Sequence, residues 1–210
     1  MDRMLVVLVT ILALSCSNIS LPLVRVESQS VQKVDGKDAL RIAGGTGFFV
    51  SKTGVIVTAA HMIEESKKIY IYHQGRNIAR RALLLHRDEY ADVAVLYVSG
   101  VHVDKPLHFC EDMSVGEPVS AWAWRSYGTE RTRGPIMSRL FGGVWAIGTI
   151  VGPGFSGGPA YVDGRKCVAG VVIQSNMSAS QPLAIIVRPE ASAGVLKVLR
   201  DVAPDSVRGL

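Results

Sequence analysis

A chain of 210 residues can hold one domain with a real core, or two small barrels packed as one unit. Its 48% hydrophobic and 20% charged content is that of an ordinary globular protein, without low-complexity tracts or internal repeats. The formal charge of +5 is modest, and the basic residues (Lys67-Lys68, Arg80-Arg81, Arg125 to Arg139) are scattered without interleaved aromatics, which reads as a solvated face and argues against nucleic-acid binding.

Residues 1–20 stand apart. Arg3 precedes an apolar run of eleven residues, Met4 to Leu14, followed by the small residues Ser15, Cys16 and Ser17. A spanning helix needs about 20 apolar residues, so this run fits the core of an export signal. Cleavage after Ser15 or Ser17 and secretion, or transfer to a periplasm, are expected. An uncleaved membrane anchor is the alternative, and only that reading brings contact with a membrane. Once the signal is removed, Cys110 and Cys167 remain, and the sequence is compatible with one disulfide or with two buried thiols. Residues 21–41, polar and weakly alternating from Val24 to Leu40, are assigned as a lead-in arm. Asn18-Ile19-Ser20 and Asn176-Met177-Ser178 match the glycosylation acceptor pattern, which matters only in a eukaryotic secretory route.

Strands begin near Ile42. Gly44 to Val50 reads as a glycine-rich bend and strand, Lys52-Thr53-Gly54 as a hairpin turn, and Val55 to Thr58 as the return strand, which runs into Ala59-Ala60-His61. Met62 to Ser66 reads as a short helical turn. Lys68 to His73 is a strand, Gln74-Gly75-Arg76-Asn77 a turn, and Ile78 to Arg87 another strand. Asp88 and Glu89 lie in a charged, turn-like group and read as surface charges, whereas Asp92 opens the apolar run Val93-Ala94-Val95-Leu96. His73, His86, His102 and His108 lack such a context and read as structural or exposed. Residues 99–114, with Pro106 and the Glu111-Asp112 turn, read as a connection.

Gly116 to Trp124 alternates as a strand, and Arg125 to Arg139 reads as an exposed hairpin or long loop whose four arginines against one glutamate would favour acidic substrate residues. The apolar run Trp145 to Val151 then leads into Gly152-Pro153-Gly154-Phe155-Ser156-Gly157-Gly158-Pro159. Glycine enters positive φ without a Cβ penalty and proline fixes the bends around it, so this segment is a tight turn. It can present Ser156 Oγ outward while the N–H groups of Gly154 and Ser156 point into one hollow, as two donors for an oxyanion. A serine hydroxyl needs a base, and His61 and Asp92 supply a histidine and a carboxylate upstream. Cys167 to Ser175 and Leu183 to Val187 read as the last strands, and Ala191, Val195, Val198, Leu199 and Val202 fall at helical spacing.

Thr58-Ala59-Ala60-His61, Asp92-Val93-Ala94-Val95-Leu96 and Gly154-Phe155-Ser156-Gly157-Gly158-Pro159 resemble the three signatures of the chymotrypsin-fold, trypsin-like serine proteases, in that family's order His, Asp, Ser. The spacing and Phe155 are closer to the bacterial and viral trypsin-like branch, including the high-temperature-requirement proteases, than to digestive enzymes. The resemblance covers about residues 42–202. It implies an all-β protein of two six-stranded antiparallel β-barrels, about 42–104 and 115–190. A C-terminal helix over about 190–203 closes it and leaves no room for a peptide-binding second domain. It further implies a serine endopeptidase acting on protein or peptide substrates, with Ser156 as nucleophile, His61 as base, Asp92 orienting His61, and Gly154 and Ser156 forming the oxyanion hole. No metal and no cofactor are called for.

By position, Ile173, Gln174 and Ser175 resemble the strand edge that pairs with the substrate backbone. Ile150 and Val151, with Leu183 and Ala184, resemble the lining of the pocket for the side chain preceding the scissile bond. None is acidic, and burying an unpaired cation is costly, so small or medium apolar residues are expected there and basic ones disfavoured. Arg41-Ile42-Ala43-Gly44-Gly45 resembles a zymogen activation site. Phe155, standing where an acidic residue would be needed, and the short spacing from Ile42 to His61 mark it as a decoy. Met62 stands where vertebrate digestive relatives carry a cysteine, which implies a protease not of the disulfide-stapled kind. Two rivals remain: a protease-fold binding protein without activity, and an esterase, which the order His61 before Ser156 disfavours.

Overall fold

The computed structural model describes residues 20–63, 68–73, 79–125, 128–176 and 183–210, without the side chains of residues 175 and 176. Residues 1–19 of the expected export segment, the helical turn beyond Ile63 and the Gln74-Gly75-Arg76-Asn77 turn lie outside it, as does most of each glycosylation pattern. Strands β1 (Leu23–Val34), β2 (Lys37–Phe49), β3 (Val55–Ala59), β4 (Lys68–His73), β5 (Arg80–Asp88) and β6 (Val93–Tyr97) close an antiparallel barrel in the order β1-β2-β3-β6-β5-β4. Strands β7 (Pro118–Arg125), β8 (Gly128–Phe141), β9 (Val144–Ile147), β10 (Pro159–Val162), β11 (Cys167–Asn176) and β12 (Leu183–Val187) close a second, in the order β10-β11-β12-β9-β8-β7. Helix α1 (Ala193–Val202) follows. Among the described residues no helix is long and apolar enough to cross a membrane.

The expected lead-in arm is instead a wall of the first barrel. Leu23 to Val34 pairs with β2 throughout, and Val24 to Gln29 pairs with β4 to close the ring. The signal for it is Asp35-Gly36, both at positive φ (51° and 74°), a two-residue turn whose twist suits a hairpin. Alternation along β1 is blurred because its buried inward positions pass from Val24 and Val26 to the serines Ser28 and Ser30. Ile42 is mid-strand, paired with Gln29, so it cannot serve as a freed terminus. Of the two readings for Arg125 to Arg139 the hairpin holds and the long loop does not: β7 and β8 pair from Pro118↔Pro135 to Arg125↔Gly128.

Each barrel is filled by its inward-facing residues: Val24, Val26, Phe49, Ile56 and Leu96 in the first, Val119, Ala121, Ile136, Ile147 and Ile186 in the second. A third cluster joins them. Leu23, Phe48, Val57 and Val95 meet Tyr161, Val168, Val171 and Val187 between the barrels, and α1 adds Val195 and Leu199 to the same cluster. Burying a large apolar side chain contributes about 1.5–3 kcal/mol, so this seam fixes the barrels against each other.

The connection between barrels is fastened to β11. Cys110 N–H donates to Val168 O at 2.9 Å, Val168 N–H donates to His108 O at 2.8 Å, and Cys110 and Cys167 form a disulfide with Cα atoms 5.1 Å apart. The protein is therefore disulfide-linked after all, though far from Met62. Arg188 Nη2 donates to Cys110 O at 2.7 Å and covers this junction. Chain-entropy arguments for a crosslink spanning 57 residues give about 4 kcal/mol. We expect Cys110→Ser/Cys167→Ser to lower the unfolding free energy by up to that amount, measured by urea unfolding, with a larger m-value because the uncrosslinked denatured chain exposes more surface.

Candidate active site

Strand register brings the first two groups together. Ala59 of β3 pairs with Val93 of β6, so the residues just beyond, Ala60 and Asp92, face each other, and Ala60 N–H donates to Asp92 O at 3.1 Å. Asp92 sits at φ 54°, an uncommon conformation for a non-glycine residue, which turns its carboxylate back towards His61. Asp92 Oδ1 accepts from His61 N–H at 2.8 Å, and Oδ2 lies 2.7 Å from His61 Nδ1. The carboxylate thus fixes both the backbone and the ring of His61. With Nδ1 holding the proton towards Asp92, Nε2 is left as the acceptor. The His61 side chain is 40% exposed and that of Asp92 23%, so the pair opens onto the surface from a half-buried carboxylate.

The turn leading into Asp92 is held by Asp88, which the sequence suggested was a surface charge. Asp88 Oδ1 accepts from the N–H groups of Tyr90 and Ala91, both at 2.9 Å, and Oδ2 accepts from Ser192 Oγ at 2.5 Å. Ser192 is the N-cap of α1, its Oγ accepting from Val195 N–H at 3.1 Å. Asp88 therefore shapes the turn that delivers Asp92 and ties it to α1; Glu89, exposed and paired with Arg87, does remain a surface charge.

The turn between β9 and β10 that carries Ser156 is shaped by its own carbonyls and by barrel one. Phe155 N–H donates to Gly152 O, Gly158 N–H to Phe155 O, and Gly157 N–H to Val172 O. No hydrogen bond of the Gly154 or Ser156 N–H is found among the described residues. Gly157 is at φ 81°, and a Cβ there would lie 2.1 Å from Thr46 O and 2.2 Å from Thr58 Oγ1, so only glycine lets the turn approach barrel one this closely. Phe155 is 1% exposed within the second barrel, with the Arg125 guanidinium 5.5 Å from its ring centroid. Arg125 Nε donates to Glu130 at 2.7 Å.

The expected arginine loop is correspondingly narrowed. Arg131 stacks on Trp122 and Arg139 on Trp145, and among these arginines it is Arg125 that reaches the turn carrying Ser156.

Beside Ser156 lies a cleft of about 420 Å³ lined by Val151, Gly152, Pro153, Ser156, Val172, Ile173 and Gln174. Val151, Ile173 and Gln174, expected at the substrate site, line this cleft. Ile150 does not: it is 55% exposed and outside the lining. Ser175 continues β11 at the edge, paired with Ala184, and its side chain is outside the described residues. Ala184 is buried in the second barrel rather than lining the cleft, and Leu183 does not line it either.

Over residues 45–171 the sequence matches the trypsin-like peptidase domain. The chain belongs to the trypsin-like peptidase family. It is a serine endopeptidase of the chymotrypsin-like double-barrel fold. Its structure is similar to the crystal structure of the active form of the Rv3671c protease from M. tuberculosis, with a TM-score of 0.69 at 24% identity over 84% of this chain and 80% of that one. The inactive form of the Rv3671c protease gives a TM-score of 0.67 at 22% identity, over 84% of this chain and 88% of that one. Identities this low speak to shared fold alone. No curated protein matches the chain.

In the peptidase, the Asp88 carboxyl is held below its ordinary value of 3.8, first by the Ala91 N–H and then by the Ser192 hydroxyl. A carboxyl whose pKa is depressed by folding stabilises above its unfolded value and loses that contribution as pH falls through its folded one. We expect Asp88→Ala to lower stability by about 1–2 kcal/mol at pH 7, the cost of removing a charged acceptor. The gap to wild type should close as pH falls below about 3.8, read from thermal or urea unfolding across pH.

Proposed function

We propose that the peptidase is a secreted serine endopeptidase that works through an acyl-enzyme and prefers small or medium apolar residues before the scissile bond. The observation that carries the mechanism is the division of labour in the turn at 152–158. The N–H groups of Phe155, Gly157 and Gly158 are consumed in holding it, while those of Gly154 and of Ser156 itself are left for a ligand.

Ser156 Oγ attacks the substrate carbonyl carbon, and its proton passes to His61 Nε2. The imidazolium is stabilised by Asp92 at 2.7 Å from Nδ1. The carbonyl oxygen, now negative, is received by the Gly154 and Ser156 N–H groups. Collapse breaks the C–N bond, His61 returns the proton to the leaving amine, and water then repeats the sequence to release the acid and restore Ser156. Two of the substrate-pairing positions, Ile173 and Gln174, edge the cleft. The cleft has no charged lining residue to neutralise a buried lysine or arginine, which supports an apolar preference. Secretion is supported by the apolar run Met4 to Leu14 and by the Cys110–Cys167 disulfide, a bond that persists in oxidising compartments.

The purified protein should be labelled by a fluorophosphonate, with labelling lost in Ser156→Ala and in His61→Ala. A folded protein that no probe labels would instead favour a binding role. A peptide-library profile should show alanine, valine or leucine before the cleaved bond, and a profile led by arginine would overturn the pocket assignment.

A further inference from the structure

Thr46 is completely buried where β2 meets β7 and the nucleophile turn, and each of its polar groups is used. Its hydroxyl accepts from Trp124 N–H at 2.8 Å and donates to Gly154 O at 2.7 Å. Its backbone N–H donates to Ser156 O at 2.9 Å, and its carbonyl accepts from Thr58 Oγ1 at 2.7 Å. One residue of barrel one thus holds the carbonyls of both residues whose N–H groups face the ligand, and ties them to barrel two through Trp124.

Gly154 is the weak point of the turn. At φ 90° and without a Cβ, it has neighbouring wells of similar energy into which the peptides on either side could rotate, carrying the N–H away from the hollow. A donor stabilises an oxyanion only while it is aimed where the charge will develop. Phe155, the residue before Ser156, is buried and apolar and has no polar side-chain group to hold the turn. The hydroxyl of Thr46 does hold it: its single proton goes to Gly154 O while its oxygen accepts from Trp124 N–H.

We propose that Thr46 is a positioning residue: by holding Gly154 O it fixes the Gly154–Phe155 peptide, and with it the Cα from which the Gly154 N–H is aimed into the oxyanion hole, through a permanent bridge between the barrels. The inference rests on the reading of Ser156 as nucleophile and of Gly154 and Ser156 as oxyanion donors. It also gives the side chain at this position a rule: hydroxyl required, methyl dispensable.

The test is kinetic, on the full chain with a peptide substrate. Thr46→Val keeps the shape and removes the hydroxyl, so kcat should fall by roughly tenfold to a hundredfold, below the 10²–10³ of losing a donor outright, with KM changed by less than about threefold. Thr46→Ser restores the hydroxyl and should bring kcat back to within about threefold of wild type. Affinity for a peptidyl trifluoromethyl ketone, whose serine adduct carries the oxyanion, should fall in Thr46→Val by the same factor as kcat/KM. If Thr46→Val does not fold, Thr46→Cys, a weaker donor of similar shape, takes its place and should lie below Thr46→Ser.

A folded Thr46→Val with kcat within about twofold of wild type overturns the role. So does a loss that Thr46→Ser fails to rescue, or one that leaves ketone affinity intact. A wild-type protein that fluorophosphonate does not label overturns the serine-nucleophile reading itself, and the role of Thr46 with it; labelled wild type beside a fully active Thr46→Val overturns only the latter.

Discussion

A methyl group does not fit between the nucleophile turn and barrel one: at Gly157 it would lie 2.1 Å from Thr46 O and 2.9 Å from Ala59 N. At Gly45, on the other side of the contact, it would lie 2.8 Å from Ser156 O. This closeness seats the turn that carries Ser156, in the second barrel, directly against β2 and β3 of the first. The apolar seam of Phe48, Val57, Val171 and Val187 holds the barrels together, but non-directional burial cannot set a distance to a fraction of an ångström. The backbone contact at 45–46 and 156–157 does, because it is close-packed and hydrogen-bonded.

On the barrel-one side, alignment comes from pairing rather than from side-chain choice. The β3–β6 register places Ala60 opposite Asp92, and the two-point contact of the Asp92 carboxylate with His61 follows from that. Asp92 must still be bent to φ 54°, which costs of order 1 kcal/mol or more for a side-chain-bearing residue. The Asp88 contacts to Tyr90, Ala91 and Ser192 offset that cost and make the C-terminal helix part of the support for the site. A helix far along the chain thus steadies a carboxylate in the first barrel.

The Cys110–Cys167 bond belongs to a different layer of support. It joins the connection between barrels to β11, whose far end carries Ile173 and Gln174 at the cleft. The connection is held again by Arg188, so the strand that edges the cleft is anchored at its start by a covalent bond and a buried cation.

The sequence alone carried the three motifs, because a strained glycine turn and apolar strands ending in His61 or beginning at Asp92 are local facts. Most strand positions were legible for the same reason, as was the absence of a partner for an activation terminus at Phe155. The hairpin at Asp35-Gly36 was equally local; it was obscured because the apolar alternation of β1 gives way to buried serines at Ser28 and Ser30. What only the tertiary structure decided are the relations between segments distant in the chain. They are the pairing of Cys110 with Cys167, the departure of Ile150 from the cleft, the turn of Asp88 towards Ser192 and the four-way use of Thr46. No composition or spacing distinguishes Thr46 from any other threonine in a strand. A hydrogen bond gains its meaning from which donor and acceptor burial brings together, and for Thr46 and Gly154 that is settled only when two closed barrels meet.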